Sequence, residues 1–145
     1  MRNPESSPLM EGLAQALSRA ERSLTGRLAE ALEQQGCSVE QWRILVLLAD
    51  GDGHPMSEIA EFALVPAPSL TRLVDRMATD GLVHRTVDAR DRRRVLVHLT
   101  RQGRALHRSA TALVEQQGDA LLADAEHADL RRLQVLLEAF AGRIR

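Results

Sequence analysis

Lysine is absent from this 145-residue chain, and all nineteen basic residues are arginine. Aromatic content is only 2%, so any ligand pocket would be aliphatic and poor in stacking partners. A single cysteine, Cys37, excludes an intrachain disulfide and suits a reducing cytoplasm. No apolar run approaches the roughly 18 residues that suggest a membrane span. There is no internal repeat, low-complexity tract or glycine-rich phosphate loop, and no nucleophile–base pair. The five histidines (His54, His84, His98, His107, His127) show no metal-ligand spacing. The expectation is therefore a chain that is not an enzyme and uses no cofactor or metal. At this length and 44% apolar content it forms a domain-sized globular fold.

What is present is a concentration of arginine. In Asp88 to Thr100, DARDRRRVLVHLT, four arginines (Arg90, Arg92, Arg93, Arg94) fall within five positions beside Asp88 and Asp91. Val95, Val97 and Leu99 then alternate with Leu96 and His98, the period of a strand. Leu82-Val83-His84-Arg85-Thr86 reads as the partner strand, which puts His84 opposite His98. The result is a hairpin too small to bury a core, with an arginine tip that projects into solvent or a partner. The net charge of −1 conceals a segregation. Val65 to Arg108 holds ten arginines and four aspartates, a net of +6. The remainder holds nine arginines and sixteen acids, a net of −7. A basic head on an acidic body favours phosphate contact through one face.

Two helical patterns precede the hairpin. Ser57 is placed to cap the first, Glu58 to Leu64, with Ile59, Ala60 and Ala63 on one face. Val65-Pro66 breaks it, because proline cannot continue a helix interior and restricts its predecessor. The second starts near Ala67 or Pro68 and stops at Asp80-Gly81. Its apolar stripe is Leu70, Leu73, Val74 and Met77. The opposite face shows Pro68, Arg72, Asp75 and Thr79, flanked by Ser69, Thr71 and Arg76. Short hydroxyls and forked guanidiniums near a helix N-terminus suit base edges and phosphates in a major groove. Helix, turn, polar helix and basic hairpin together make a winged helix-turn-helix, within a mainly α fold.

The run from Met56 to Thr100 resembles the MarR/SlyA family of bacterial transcription regulators. The matching features are Ser57-x-Ile59-Ala60, Pro68-Ser69-Leu70-x-Arg72, Asp80-Gly81-Leu82-Val83, and Asp91-Arg92-Arg93 followed by Leu99-Thr100 and Gly103. Each is weak alone, but in this order and spacing they are specific. The resemblance implies a cytoplasmic homodimer that binds double-stranded DNA at an inverted repeat as a regulator, in the repressor sense. It also implies that the second helix (Pro68, Ser69, Thr71, Arg72, Arg76) reads the major groove. The wing (Arg90, Arg92, Arg93, with Asp91 bracing whichever arginine inserts) would enter the minor groove. Members commonly bind small aromatic or phenolic anions in a crevice between heads and dimerisation helices. Here Trp42 and Arg43 would line it, although core is the plain reading of Trp42. An architectural protein that binds DNA by charge and shape, with little base readout, is the alternative.

The flanks read as helices: Glu11 to Gln35, a helix opened by the capping box Ser38-x-x-Gln41 and running through Ala49, and another from the Thr100 cap to about Leu122. A last helix, capped by Asp124, holds Leu130, Leu133, Leu136, Leu137, Phe140 and Ile144. Asp50 to Pro55 is a loop. The expected organisation is a disordered lead-in over residues 1–10, dimerisation helices over 11–36 and 101–145, and the winged region over 37–100. The outer helices carry more apolar surface than such a head needs, so they are expected to pack against a second copy. Cys37 reads as a buried small hydrophobe rather than a redox sensor.

Overall fold

The computed structural model describes residues 6–123 and 127–144. The elements are α1 (Ser6–Glu33), α2 (Val39–Leu48), β1 (His54–Pro55), α3 (Met56–Ala63), α4 (Ala67–Thr79), β2 (Val83–Val87), β3 (Val95–Leu99), α5 (Arg101–Leu121) and α6 (His127–Arg143). They fall into two units, Met1–Val114 and Glu115–Arg145, with α5 running through the boundary.

The first unit contains the winged head. Its core joins Leu32 from α1, Ile44, Leu45 and Leu48 from α2, Ile59 and Ala63 from α3, Leu70, Val74 and Met77 from α4, Val97 and Leu99 from β3, and Ala110 from α5. The apolar stripe expected on α4 is thus the buried one, with Leu73 packed against it partly exposed. Burying side chains of this size stabilises by about 1.5–3 kcal/mol each, which holds the polar face of α4 outward. The three-stranded antiparallel sheet has the order β1-β3-β2. Val83 pairs Leu99 and Val87 pairs Val95, and His84 stands opposite His98. Those two rings stack with centroids 5.3 Å apart.

Several boundaries differ from the sequence expectations. Helix α1 already covers Ser6–Met10, inside the stretch expected to be disordered, while residues 1–5 lie outside the described residues. Pro8 is tolerated there because first-turn amides need no intrahelical partner. At its other end α1 stops at Glu33 rather than Gln35, with Gly36 at φ +62° turning the chain. Ser57 does not cap α3. The helix begins at Met56, Pro55 is its N-cap residue without a side-chain bond, and Ser57 lies in the first turn. Proline supplies the extended backbone an N-cap needs, which displaces the serine by two positions. The loop expected through Pro55 ends in a strand, since His54 and Pro55 pair with Val97 and Leu96. The Asp124 cap lies outside the described residues.

The caps at Ser38 and Thr100 follow the sequence. The Ser38 hydroxyl accepts from the Gln41 amide at 3.1 Å while the Gln41 side chain accepts from the Ser38 amide at 3.0 Å. Thr100 accepts from the Gly103 amide and donates to the Gly81 carbonyl, tying α5 to the end of α4.

Candidate nucleic-acid interface

Helix α4 starts at Ala67 with Pro68 in the first turn and ends at Thr79, with Asp80 as its C-cap and Gly81 following at φ +72°. Burial of Leu70, Val74 and Met77 leaves Pro68, Ser69, Thr71, Arg72, Asp75, Arg76 and Thr79 exposed on the opposite arc. The hydroxyls of Thr71 and Thr79 donate to the carbonyls of Ala67 and Asp75, at 3.1 and 3.0 Å. The Asp75 carboxylate accepts from Arg85 of β2 at 2.5 Å. This ion pair ties the reading helix to the wing. Sequence reasoning missed it, because residues ten apart on different elements give no periodic signal.

The wing tip is built from two local turns. Asp88 accepts from the Arg90 amide at 2.9 Å, and Asp91 accepts from the Arg93 amide at 3.0 Å. Backbone bonds Asp88–Arg94 and Arg94–Asp91 close the loop. Aspartate favours such turns because its carboxylate reaches an amide two residues on. The bond from the Arg93 amide to Asp91 shapes the tip that carries the wing arginines. The side chains of Arg90, Arg92 and Arg93 are exposed. Arg94 differs, lying 3.9 Å from Glu58 of α3.

His54 organises the base of the wing. Its two ring nitrogens sit 2.7 Å from Asp50 and 2.9 Å from Glu58. Burial opposes charge on the ring, but the bonds to Glu58 and Asp50 outweigh it and raise the histidine pKa. For Asp50 desolvation is likewise outweighed, by bonds from the Asp52 amide and His54, and its pKa is lowered. The spacing of four from Asp50 to His54 and from His54 to Glu58 was the available signal.

The expected crevice residues have partners within the first unit. Trp42 is half-buried and its indole N–H donates to the Thr111 hydroxyl at 3.2 Å, while Arg43 donates to the Ala63 carbonyl at 3.4 Å. Cys37 is buried, and burial raises its thiol pKa to about 11. A thiol held there is protonated and a weak nucleophile near neutral pH.

Residues 35–94 match the model of the MarR family. An HTH-type transcriptional regulator, FarR, from Neisseria gonorrhoeae is 32% identical over 72% of this chain and 72% of its own length. The chain belongs to the MarR family. The homoprotocatechuate degradative operon repressor of Escherichia coli is 29% identical over 90% of this chain and 88% of its own. Among solved structures, NadR in complex with 4-hydroxyphenylacetate matches with a TM-score of 0.79 at 29% identity, covering 89% of this chain and 92% of that one. This MarR-family protein is accordingly a DNA-binding transcriptional regulator and not an enzyme. Among the described residues no helix is long and apolar enough to cross a membrane.

Proposed function

We propose that this MarR-family protein represses transcription in the cytoplasm, as a homodimer bound to an inverted repeat whose half-site centres lie about 10 base pairs apart. The observation that carries this reading is the pairing of an exposed polar arc on α4 with an arginine tip on the adjoining hairpin. Arg72 and its neighbours Pro68, Ser69, Thr71 and Arg76 address the major groove. Arg93, with Arg90 and Arg92, addresses the minor groove and phosphates. Residues 11–36 and 101–145 dimerise, and residues 37–100 bind DNA.

A small hydroxylated aromatic acid releases the repressor. Supporting this are a relative named for an aromatic-acid degradative operon and a similar structure holding 4-hydroxyphenylacetate. Trp42 and Arg43 offer a flat face and a positive charge for such an anion, and Arg43 keeps donors to spare beside its bond to the Ala63 carbonyl. The ligand acts only through a difference in affinity between DNA-competent and incompetent states, and a tenfold effect needs about 1.4 kcal/mol.

Sequencing genomic fragments enriched by the protein, followed by titration at fixed salt, tests the reading. A regulator prefers its operator over random DNA by orders of magnitude, whereas the architectural alternative gives a ratio near unity. 4-Hydroxyphenylacetate and related acids are then titrated while Trp42 fluorescence and operator binding are followed together. Indifference of both across a broad panel removes ligand control.

A further inference from the structure

The reading helix has a short chemical vocabulary. Ala67–Thr79 contains no asparagine, glutamine or glutamate. The two carboxamides are the side chains that grip adenine in a bidentate pair, and free carboxylates are those that accept from the cytosine amino group. The helix has one carboxylate, Asp75, and one of its oxygens accepts from Arg85 of β2. The hydroxyl protons of Thr71 and Thr79 are directed to carbonyls of their own helix. Two kinds of group remain on the exposed arc. Arg72 and Arg76 carry donors only, and Pro68 with the Thr71 methyl is apolar. Ser69 adds a hydroxyl that pairs with several base edges and so selects none.

We infer that α4 selects operator bases chiefly by two features: the O6 and N7 acceptors of guanine, and the 5-methyl group of thymine. Guanine offers two acceptors that match a guanidinium fork, whereas adenine N7 or thymine O4 gives a single bond. The thymine methyl is the apolar group on the major-groove edge, and the leading turn of α4 presents apolar groups to it. The amino donors of adenine and cytosine meet only single hydroxyl oxygens and the Arg85-paired Asp75, with no carboxamide to grip adenine in a bidentate pair. Each half-site therefore places guanines and thymines on the strand facing these side chains, with the thymine read nearest the helix N-terminus. The inference rests on the DNA-reading role proposed above for α4.

The test uses operator duplexes recovered by genomic enrichment and resynthesised with base analogues, one position at a time. Deoxyuridine in place of thymidine removes only the methyl, and 7-deazaguanosine in place of guanosine removes only the N7 acceptor. Both changes lie on the major-groove edge, so wing contacts in the minor groove are untouched. Affinity of the full-length dimer should fall about three- to fivefold for a read methyl, the effect of burying one carbon. It should fall about tenfold for a read guanine, the loss of a charge-assisted bond. Thr71→Ser removes the side-chain methyl and should bind natural operator three- to fivefold more weakly, with no further loss on deoxyuridine at its position. If operator DNA is strongly preferred yet both analogues leave affinity unchanged, this inference is wrong and the regulator reading stands. If no genomic fragment is preferred over random DNA, both fall together.

Discussion

At the residue scale, the exposed arginines are proposed to divide by what they address. Arg72 projects from the middle of the reading arc, and Arg93 from a tip whose backbone is fixed by Asp91. Arg72→Ala should cost about 1–3 kcal/mol of operator binding and relax preference at one base position per half-site. Arg93→Ala should weaken binding and flatten its salt dependence, with less effect on major-groove preference. Equal losses on operator and random DNA, measured by titration, would refute base readout. His54 makes a second prediction, about pH. An imidazole bonded to two carboxylates needs both nitrogens protonated. Its folded pKa is raised, so its contribution is full below the ordinary value of 6.5 and is lost as pH rises through the raised value. Asp50 has a lowered pKa, so its share is present above 3.8 and is lost as pH falls through the lowered value. Denaturant midpoints should decline from pH 6 towards pH 8 in the parent and do so less in His54→Gln.

At the element scale, tight joints decide where the reading helix sits. The end of α4 turns through Gly81, and Gly103 of α5 lies against it. A Cβ at position 103 would stand 2.0 Å from the Leu82 carbonyl oxygen, which is backbone and cannot swing away. Gly103→Ala should destabilise by about 2–3 kcal/mol, read as a lower denaturant midpoint with an unchanged slope. Gly53 is a similar joint, at φ +75° beneath the His98 ring. The caps are milder. Ser38→Ala loses the hydroxyl that accepts from the Gln41 amide at the start of α2 and should cost about 1 kcal/mol by the same measurement.

At the scale of the whole molecule, the apolar surface exceeds what the head consumes. Leu9 and Leu24 of α1 are 71% and 54% exposed, and Leu133, Val135 and Leu136 of α6 are 51%, 63% and 59% exposed. Apolar side chains gathered on one helix mark an interaction surface, and a second copy is the cover proposed here. Because α1 also supplies Leu32 to the head's core, deleting it confuses dimerisation with folding. Helix α6 has no buried residue, so substitutions there leave the core alone. Light scattering should find a dimer for the parent and a monomer for Leu133→Glu/Leu136→Glu with undiminished helicity. The monomer should lose at least a hundredfold in operator affinity, since each head then binds a half-site alone. A parent that is monomeric at micromolar concentration would overturn the proposal.

The sequence by itself determined the local features. The period-two alternation of Val95 to Leu99, the stripe Leu70-Leu73-Val74-Met77 and the capping pair Ser38 and Gln41 each depend on residues within a turn or two. The exposed arc of α4 follows from that stripe, so Pro68, Ser69, Thr71, Arg72 and Arg76 were legible as outward-facing. Only the tertiary structure decided which charges are occupied. Asp75 is held by Arg85 and His54 is clamped by Asp50 and Glu58. It also decided that Asp91 accepts from the Arg93 amide, and that His54–Pro55 becomes a third strand against β3. These depend on the distance between elements set by the core they share, and a one-dimensional pattern carries no such distance. The helix periodicity says which residues face out; the packing says which of them still have a hydrogen bond to offer DNA.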